Sequence, residues 1–320
     1  MLKLIFPSIE DVYSAADRIK PFIHRTPILS SKSINEIVGA DLFFKCENFQ
    51  KVGAFKFRGA SNAVQSLSNE EIKKGVATHS SGNHAQALAL AAKIRGTKAY
   101  IVMPSNSTNV KIEAVKGYCA EIIFCEPTLE ARESTLEEVV KKTGATFIHP
   151  YNNFNVISGQ GTSALELIND VSNLDYIITP VGGGGLLSGT LTTVSDLSPS
   201  TRVIAAEPEG ADDAYRSLIE NRIIPMVKPK TICEGLLTSL GELTFEIIRN
   251  HIYKIITVSD DAVISAMRLI WERMKIIVEP SSAITLGILL ENKIDLKGSK
   301  IGIILSGGNV DLEKLPWTIK

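Results

Sequence analysis

The chain is poor in cysteine, lacks long hydrophobic runs and has no excess of either charge. Four of its 320 residues are cysteines, with neither a CxxC pair nor a histidine at zinc spacing. That excludes a disulfide framework and a zinc ribbon and favours a reducing, cytoplasmic compartment. The 34 basic and 35 acidic side chains give a net charge of −1, so we expect no nucleic-acid partner and no attraction to an anionic membrane. No run approaches about 20 uncharged apolar residues, so no transmembrane helix is expected.

Strand-like segments alternate with helix-like segments along the whole sequence. "KAYIVMP", "LDYIITPVG" and "KIGIILSGG" are short, bounded and apolar, as buried parallel strands are. Patterns such as "NHAQALALAAKIRG" and "LEARESTLEEVVKKTG" lie between strands and end in glycine, as helices commonly do. The alternation predicts an α/β fold with mostly parallel sheets. Because ligands of such sheets bind beyond the carboxyl ends of strands, we expect the site residues in the loops that follow strands.

Lys56 is set between two phenylalanines in the segment "VGAFKFRGA". One interpretation is an aliphatic stem that lies over apolar surface while the ammonium group stays in water. The other is a desolvated amine with a lowered pKa, which acts as a nucleophile and forms Schiff bases. The segment alone does not decide between them.

A strand pattern, "YIITPV", runs into four glycines at 182–185 and then into a helix that we predict to start near Leu186. Such a loop exposes a row of backbone N–H groups at a helix N-terminus, where a phosphate binds well. The alternative is a flexible loop. The segment has neither the GxGxxG spacing nor a GK[ST] ending, so a single phosphate monoester is a better fit than a nucleotide.

Two further loops follow strands. In "THSSGNHAQAL", residues 80–84 open a helix and could bind a carboxylate, or Ser81 and Asn83 could be simple N-caps. In "IILSGGNVD", Ser306 stands at a strand end, where a plain turn is the alternative. A phosphate site, a carboxylate site, a neutral hydroxyl and a buried lysine together suit a phosphorylated aldehyde bonded to Lys56, which is pyridoxal phosphate.

The chain resembles the fold-type II pyridoxal phosphate enzymes, in particular the serine racemase and serine/threonine dehydratase group. The resemblance implies a tryptophan synthase β-like fold in which two open α/β domains hold the cofactor in the cleft between them. It places a large domain at 1–73 and 153–320 and a small inserted domain at 74–152, and it implies a homodimer. It covers nearly all of the chain and rests on the blocks "HRTPIL" (24–29), "FKCENFQKVGAFKFRGA" (44–60), "SSGNHAQA" (80–87), "GQGTSALE" (159–166), "PVGGGGLLSG" (180–189) and "EPSSA" (279–283).

The resemblance also assigns the cofactor-binding residues. Lys56 matches the Schiff-base lysine, and Ser306 matches the partner of the pyridine nitrogen. A serine there leaves that nitrogen neutral, which makes a milder electron sink than a carboxylate would. The full set implied is Phe55, Lys56, Asn83, Gly182, Gly183, Gly184, Gly185, Leu186 and Ser306.

The implied catalytic pair is Lys56 and Ser81, one on each face of the bound substrate. Members that only dehydrate often have alanine at the position of Ser81, so its hydroxyl favours a racemase. The expected activity is serine racemisation together with β-elimination from L-serine, D-serine and L-threonine, which gives a keto acid and ammonia. The substrate residues implied are Ser80, Ser81, Gly82, Asn83, His84 and Arg132.

Arg132 also supports an alternative function. Its guanidinium suits a second carboxylate, which indicates an L-threo-3-hydroxyaspartate ammonia-lyase, or an L-threonine ammonia-lyase, without a significant racemase role. Arg132 could instead pair with Glu133 or Glu137 on its own helix. A third possibility is a non-catalytic binder on the same fold, against which the placement of Lys56 argues.

The segment "AAEPEGADDAY" carries several carboxylates after a strand, either as a solvated loop or as a cation site. The resemblance implies a site for Mg²⁺, or Ca²⁺ or Mn²⁺, from Glu207, Asp213 and the carbonyl of Ala211, and oxygen ligands suit such ions. Two departures from the animal members are Tyr151 in place of asparagine and Lys32 in place of a serine. ATP as an effector is implied by Ser31, Lys51, Gln86, Tyr118, Lys275 and Asn309.

Overall fold

The computed structural model describes residues 4–318. Within that range the strands are β1 (Ile28–Leu29), β2 (Asp41–Cys46), β3 (Val76–His79), β4 (Ala99–Pro104), β5 (Glu121–Cys125), β6 (Thr146–Phe147), β7 (Tyr176–Pro180), β8 (Arg202–Pro208), β9 (Lys254–Val258) and β10 (Lys300–Leu305). The helices are α1 (Ile9–Ile19), α2 (Lys32–Val38), α3 (Lys56–Gln65), α4 (Asn69–Lys74), α5 (Asn83–Arg95), α6 (Asn109–Gly117), α7 (Leu129–Thr143), α8 (Phe154–Asp170), α9 (Gly185–Leu197), α10 (Asp213–Glu220), α11 (Glu242–His251), α12 (Asp260–Met274) and α13 (Pro280–Leu290).

The strands form two sheets. A six-stranded sheet has the order β1-β2-β10-β7-β8-β9, and a four-stranded sheet has the order β5-β4-β3-β6. The short strand β1 pairs antiparallel with β2, and the other strand pairings in the described part of the chain are parallel. The predicted α/β class is confirmed. All four strands of the smaller sheet lie within the predicted insertion at 74–152, whose boundaries stay a prediction.

Helix ends follow the local sequence signals. Helix α1 starts with a capping box in which Ser8 and Asp11 bond reciprocally. Helices α5 and α7 end at Gly96 and Gly144, which adopt the left-handed conformation with φ of 75° and 72°. Both glycine caps were predicted and are confirmed. In residues 4–318 no helix is both long and apolar enough to cross a bilayer.

Four charged side chains meet beneath the start of α3, and we call them the Arg58 cluster: Lys45, Glu47, Arg58 and Glu166. Arg58 Nε donates to Glu47 Oε2 at 2.7 Å, and its Nη2 donates to Glu166 Oε2 at 2.8 Å. Lys45 Nζ donates to the same Glu166 oxygen at 2.5 Å. Because β2, α3 and α8 each contribute to it, the cluster fixes the helix that begins at Lys56 against both neighbours.

Replacing Arg58 with methionine tests this role. The side chain is fully buried, so the change leaves Glu47 and Glu166 without their main buried partner. Breaking a buried ion pair in this way costs about 3–5 kcal/mol of unfolding free energy, measured by urea denaturation. The control is Arg268→Met, which breaks the exposed pair with Glu272 and should cost less than about 1 kcal/mol. Equal effects of the two changes would contradict a structural role for the cluster.

Candidate active site

Lys56 is the first residue of α3 and reaches toward the smaller sheet. Its Nζ donates to the carbonyl oxygen of Pro150 at 2.9 Å and lies 5.2 Å from the centre of the Phe55 ring. Burial lowers the pKa of Lys56 to about 8, although the charge of Glu279 acts in the opposite direction. An amine with that pKa is mostly protonated at neutral pH, but its neutral fraction is far larger than that of an ordinary lysine, so a nucleophile and base is available.

Gly182–Gly185 connect β7 to α9. The first hydrogen bond of α9 runs from Ser188 N to Gly184 O at 2.8 Å, so the amides before Ser188 have no partner inside the helix. Gly184 has a φ of 85°, and a Cβ on Gly183 would lie 2.3 Å from the Tyr151 ring. Glycine is therefore required, and the free amides from the loop to Leu186 are available to an anion, so the predicted phosphate site stays a prediction that this geometry allows.

Ser306 follows β10 and lies beside the lysine segment. Its carbonyl oxygen accepts from Phe55 N at 2.9 Å, which brings the strand end next to Lys56. The side chain is buried, and its Oγ donates to Ser281 O at 3.4 Å. A neutral hydroxyl thus stands where the sequence analysis placed one.

The loop at residues 80–84 opens α5 without a side-chain cap. Gly82 is the N-cap residue and has no side-chain hydrogen bond to offer, so the alternative that Ser81 or Asn83 acts as a simple N-cap is not what the structure shows. Ser81 is half-buried and forms no hydrogen bond within residues 4–318. His84 is buried, and its Nε2 donates to Ile148 O at 3.3 Å. The amides of Ser80 and Gly82 donate to Val102 O and Ser80 Oγ, so within residues 4–318 it is the amides of Ser81, Asn83 and His84 that remain available to a carboxylate.

Glu279 is a site residue to which the sequence analysis assigned no role. It caps α13, and its carboxylate accepts from Asn83 Nδ2 at 3.1 and 3.2 Å and from Asn309 N at 3.2 Å. Burial raises the pKa of Glu279 to about 7. The only signal in the sequence was its place in the block "EPSSA", with proline at the first helical position.

Several polar and aromatic side chains line the carboxyl ends of β3 and β6. His79 ends β3 and His149 follows β6, with ring centres 6.4 Å apart, and the rings of His149 and Tyr151 meet edge-on at 4.5 Å. On α7, the Nε of Arg132 is buried without a hydrogen-bond partner. No acidic side chain of the described residues pairs with Arg132, so the predicted alternative of pairing along its own helix is not observed.

The proposed cation ligands are buried and are not part of a solvated loop. Glu207 ends β8 and accepts from the amides of Ala214 and Tyr215, both at 2.7 Å, while Asp213 Oδ2 has no partner. Burial raises the pKa of Glu207 to about 9 and that of Asp213 to about 7. No group of three or more acidic, histidine or cysteine side chains in residues 4–318 is placed to hold a metal, so a site here needs the Ala211 carbonyl as well.

The chain belongs to the pyridoxal-phosphate dependent enzymes, whose family model matches residues 19–307. It is 51% identical over 314 residues to a beta-hydroxyaspartate dehydratase of Paracoccus denitrificans (strain Pd 1222), covering 98% of this chain and 100% of that protein. It is 52% identical to a serine racemase of Dictyostelium discoideum, covering 96% of each. A solved structure of maize serine racemase superimposes with a TM-score of 0.95 at 47% identity, covering 98% and 97% of the two chains.

The residues present fit that cofactor. The unpartnered amides at the start of α9 suit its phosphate, the neutral Ser306 hydroxyl suits an unprotonated ring nitrogen, and the amine of Lys56 suits its aldehyde. Asn83 donates to Glu279 and accepts from Asn309. These hydrogen bonds connect the two sheets across the cleft. The fold thus brings together, from both sheets, residues that the sequence analysis assigned separately.

Lys56→Ala should abolish covalent attachment of the cofactor and all turnover, because no other amine of residues 4–318 is placed beside the glycine loop and Ser306. The measurement is the mass of the denatured protein after borohydride reduction, which should no longer include the cofactor. The matched control is Lys51→Ala, whose Nζ lies over the Phe57 ring and away from the Pro150 carbonyl. Retention of a reducible adduct in Lys56→Ala would identify a different nucleophile.

Proposed function

We propose that this protein is a serine racemase that also catalyses β-elimination from L-serine, D-serine and L-threonine, giving a keto acid and ammonia. The observation that carries the proposal is the Lys56 amine, whose pKa is lowered to about 8 next to a free-amide anion site. The serine at position 81, together with 52% identity to the Dictyostelium discoideum serine racemase, supports racemisation over simple dehydration.

Each residue of the site has one task in this mechanism. When bound, pyridoxal phosphate withdraws electrons from the substrate Cα and so acidifies its proton. The loop at residues 80–84 holds the substrate carboxylate through the amides of Ser81, Asn83 and His84, and the amides from Gly182 to Leu186 hold the phosphate. The Nζ of Lys56 takes the Cα proton on one face, and the Oγ of Ser81 supplies one on the other. Ser306 keeps the ring nitrogen neutral.

The second candidate is an ammonia-lyase acting on L-threo-3-hydroxyaspartate or L-threonine. It is favoured by the buried Arg132 Nε, which has no partner among residues 4–318 and would satisfy its hydrogen bond with a second carboxylate. The 51% identical relative named beta-hydroxyaspartate dehydratase supports it too. An assay of chiral amino acid and keto acid products from L-serine, D-serine, L-threonine and L-threo-3-hydroxyaspartate separates the two candidates.

We propose a divalent cation, Mg²⁺ or else Ca²⁺ or Mn²⁺, at Glu207, Asp213 and the Ala211 carbonyl. The support is the burial of both carboxylates and the unpaired Asp213 oxygen. In the absence of a cation, burial favours the protonated carboxyl groups. A bound cation would reverse that preference and hold both carboxyl groups ionised.

We also propose that the protein is a homodimer, that ATP is an effector and that the location is cytoplasmic. A homodimer and a cytoplasmic location rest on the family resemblance and the composition. ATP as an effector rests on the matching positions named above, of which Asn309 already donates to Asn83 Oδ1 at 2.8 Å and to Val52 O at 2.7 Å. Lys32, the departure in that set, is solvent-exposed beside Glu36.

Ser81→Ala tests the two-base mechanism. General acid–base help from a placed side chain is worth about 10²–10⁴-fold, so conversion of L-serine to D-serine and elimination from D-serine should fall by about that much. Elimination from L-serine uses Lys56 and should stay within about tenfold of the unmodified protein. Both rates are measured on the same preparation by chiral chromatography and keto-acid detection.

Two outcomes would count against this mechanism. If both rates fall together, Ser81 holds the carboxylate loop and does not transfer a proton. If neither rate falls, the second base is another group. A control, Ser80→Ala, removes the neighbouring hydroxyl and should leave the ratio of the two rates unchanged.

Chelation tests the cation site. Removing the cation takes away the bonds that it makes to both carboxyl groups and leaves buried groups that must take up protons or stay charged without a counter-ion, so thermal stability and activity should both fall and should recover on adding Mg²⁺. Glu207→Gln should reproduce the effect of the chelator and should be insensitive to further chelation. The exposed Glu220→Gln serves as the control, and indifference of the unmodified protein to chelation would rule out the site.

A further inference from the structure

The ring of His149 is held in one tautomer by the backbone that follows it. Its Nδ1 accepts hydrogen bonds from two amides, Tyr151 N at 3.3 Å and Asn152 N at 3.0 Å. A nitrogen that accepts from N–H groups has a free lone pair and no proton, so the proton of the neutral ring is on Nε2. The turn therefore fixes both the protonation and the orientation of the ring.

This turn is itself firmly held. Asn152 Oδ1 accepts from Leu243 N at 3.0 Å, and Asn153 caps α8 through Val156 N at 3.0 Å. The edge of the His149 ring meets the Tyr151 ring, which in turn covers Gly183. The imidazole is therefore supported on the side of the cofactor loop and does not rotate freely.

The Nε2–H group of His149 has no acceptor among residues 4–318. It lies on the side of the ring away from the turn, in the part of the cleft shared by Lys56 and His79. The carbonyl oxygen of the next residue, Pro150, accepts from Lys56 Nζ. The pKa of His79 is lowered first by burial and then by the nearby charge of Arg132. His79 therefore lies near both His149 and Arg132, and the unused donor shares this part of the cleft with the reacting amine.

We propose that His149 is a specificity-determining residue whose Nε2–H donates to a carboxylate on the β-carbon of the substrate, in concert with Arg132. The inference rests on the proposed function and adds to Arg132 a second residue that recognises the β-carboxylate of the substrate. The donor is neutral: burial first, and then the neighbouring charges, lower the pKa of His149 to about 4. Its role is accordingly to bind and orient the carboxylate without transferring a proton.

Two substitutions separate this role from a purely structural one. In His149→Asn the side-chain oxygen reaches the position of Nδ1 and still accepts from Tyr151 N and Asn152 N, but nothing replaces the Nε2–H donor. In His149→Gln the amide nitrogen reaches the position of Nε2 and restores a donor, while the bonds to the turn are lost. His251→Asn is the control, since His251 bonds Ser195 Oγ at an exposed position.

A hydrogen bond to a charged group contributes enough to change affinity by about 10–100-fold. We therefore expect His149→Asn to raise KM for L-threo-3-hydroxyaspartate by at least about tenfold, with KM for L-serine changed by less than about threefold. His149→Gln should recover most of the selectivity even though its thermal stability falls. His251→Asn should match the unmodified protein in both.

Binding of L-aspartate, which has the β-carboxylate but no leaving hydroxyl, is followed from the cofactor absorbance without turnover. Selective weakening of L-aspartate binding in His149→Asn would support the inference. If the unmodified protein turned over none of the substrates assayed, the proposed function would be refuted, but this support for the inference would remain. Equal losses for serine and the β-carboxylated ligands in both variants would show that the ring only supports the turn. The inference would also be overturned if neither variant lost affinity for the β-carboxylated ligands.

Discussion

Removal of charged groups from water is the constraint on which the rest of the structure depends. The Arg58 cluster buries two cations and two anions together, and its charges balance within hydrogen-bond distance. Burial of this kind is tolerated only when every charge has a partner. Because the partners come from β2, α3 and α8, satisfying them also determines where α3 starts, and that start is Lys56.

The same constraint acts differently in the cleft, where several ionisable groups are buried without full compensation. The pKa of Lys56 is lowered to about 8, that of Glu279 is raised to about 7, and that of His149 is lowered to about 4. Burial is the largest cause in each case and favours the neutral form. At neutral pH the ring of His149 is therefore neutral, Glu279 is close to its midpoint of ionisation, and Lys56 has an increased fraction of free amine.

The two candidate functions use the same cofactor-binding and proton-transfer residues and differ in which residues contact the substrate side chain. Lys56, Ser81 and the two amide loops serve serine and β-carboxylated substrates alike. Arg132 and His149 are the residues that we propose for the β-carboxylate; Arg132 lies on α7, and His149 follows β6 of the smaller sheet. Tyr151 joins the two regions, because its ring contacts both His149 and the glycine loop.

The sequence by itself determined the fold class and most of the cofactor-site composition. Strand–glycine–helix patterns are local, so the four-glycine segment, the 80–84 loop and Ser306 could be assigned from their neighbours. The flanking phenylalanines left two interpretations of Lys56 open, and the glycine and serine loops favoured the desolvated amine. Only the tertiary structure decided that Glu279 bonds Asn83, which is 196 positions away in the sequence. It also decided that Arg132 has no helix partner, and that two amides fix the tautomer of His149. Those contacts arise from packing across two sheets and from the resulting loss of water, and neither is encoded in the spacing of nearby residues.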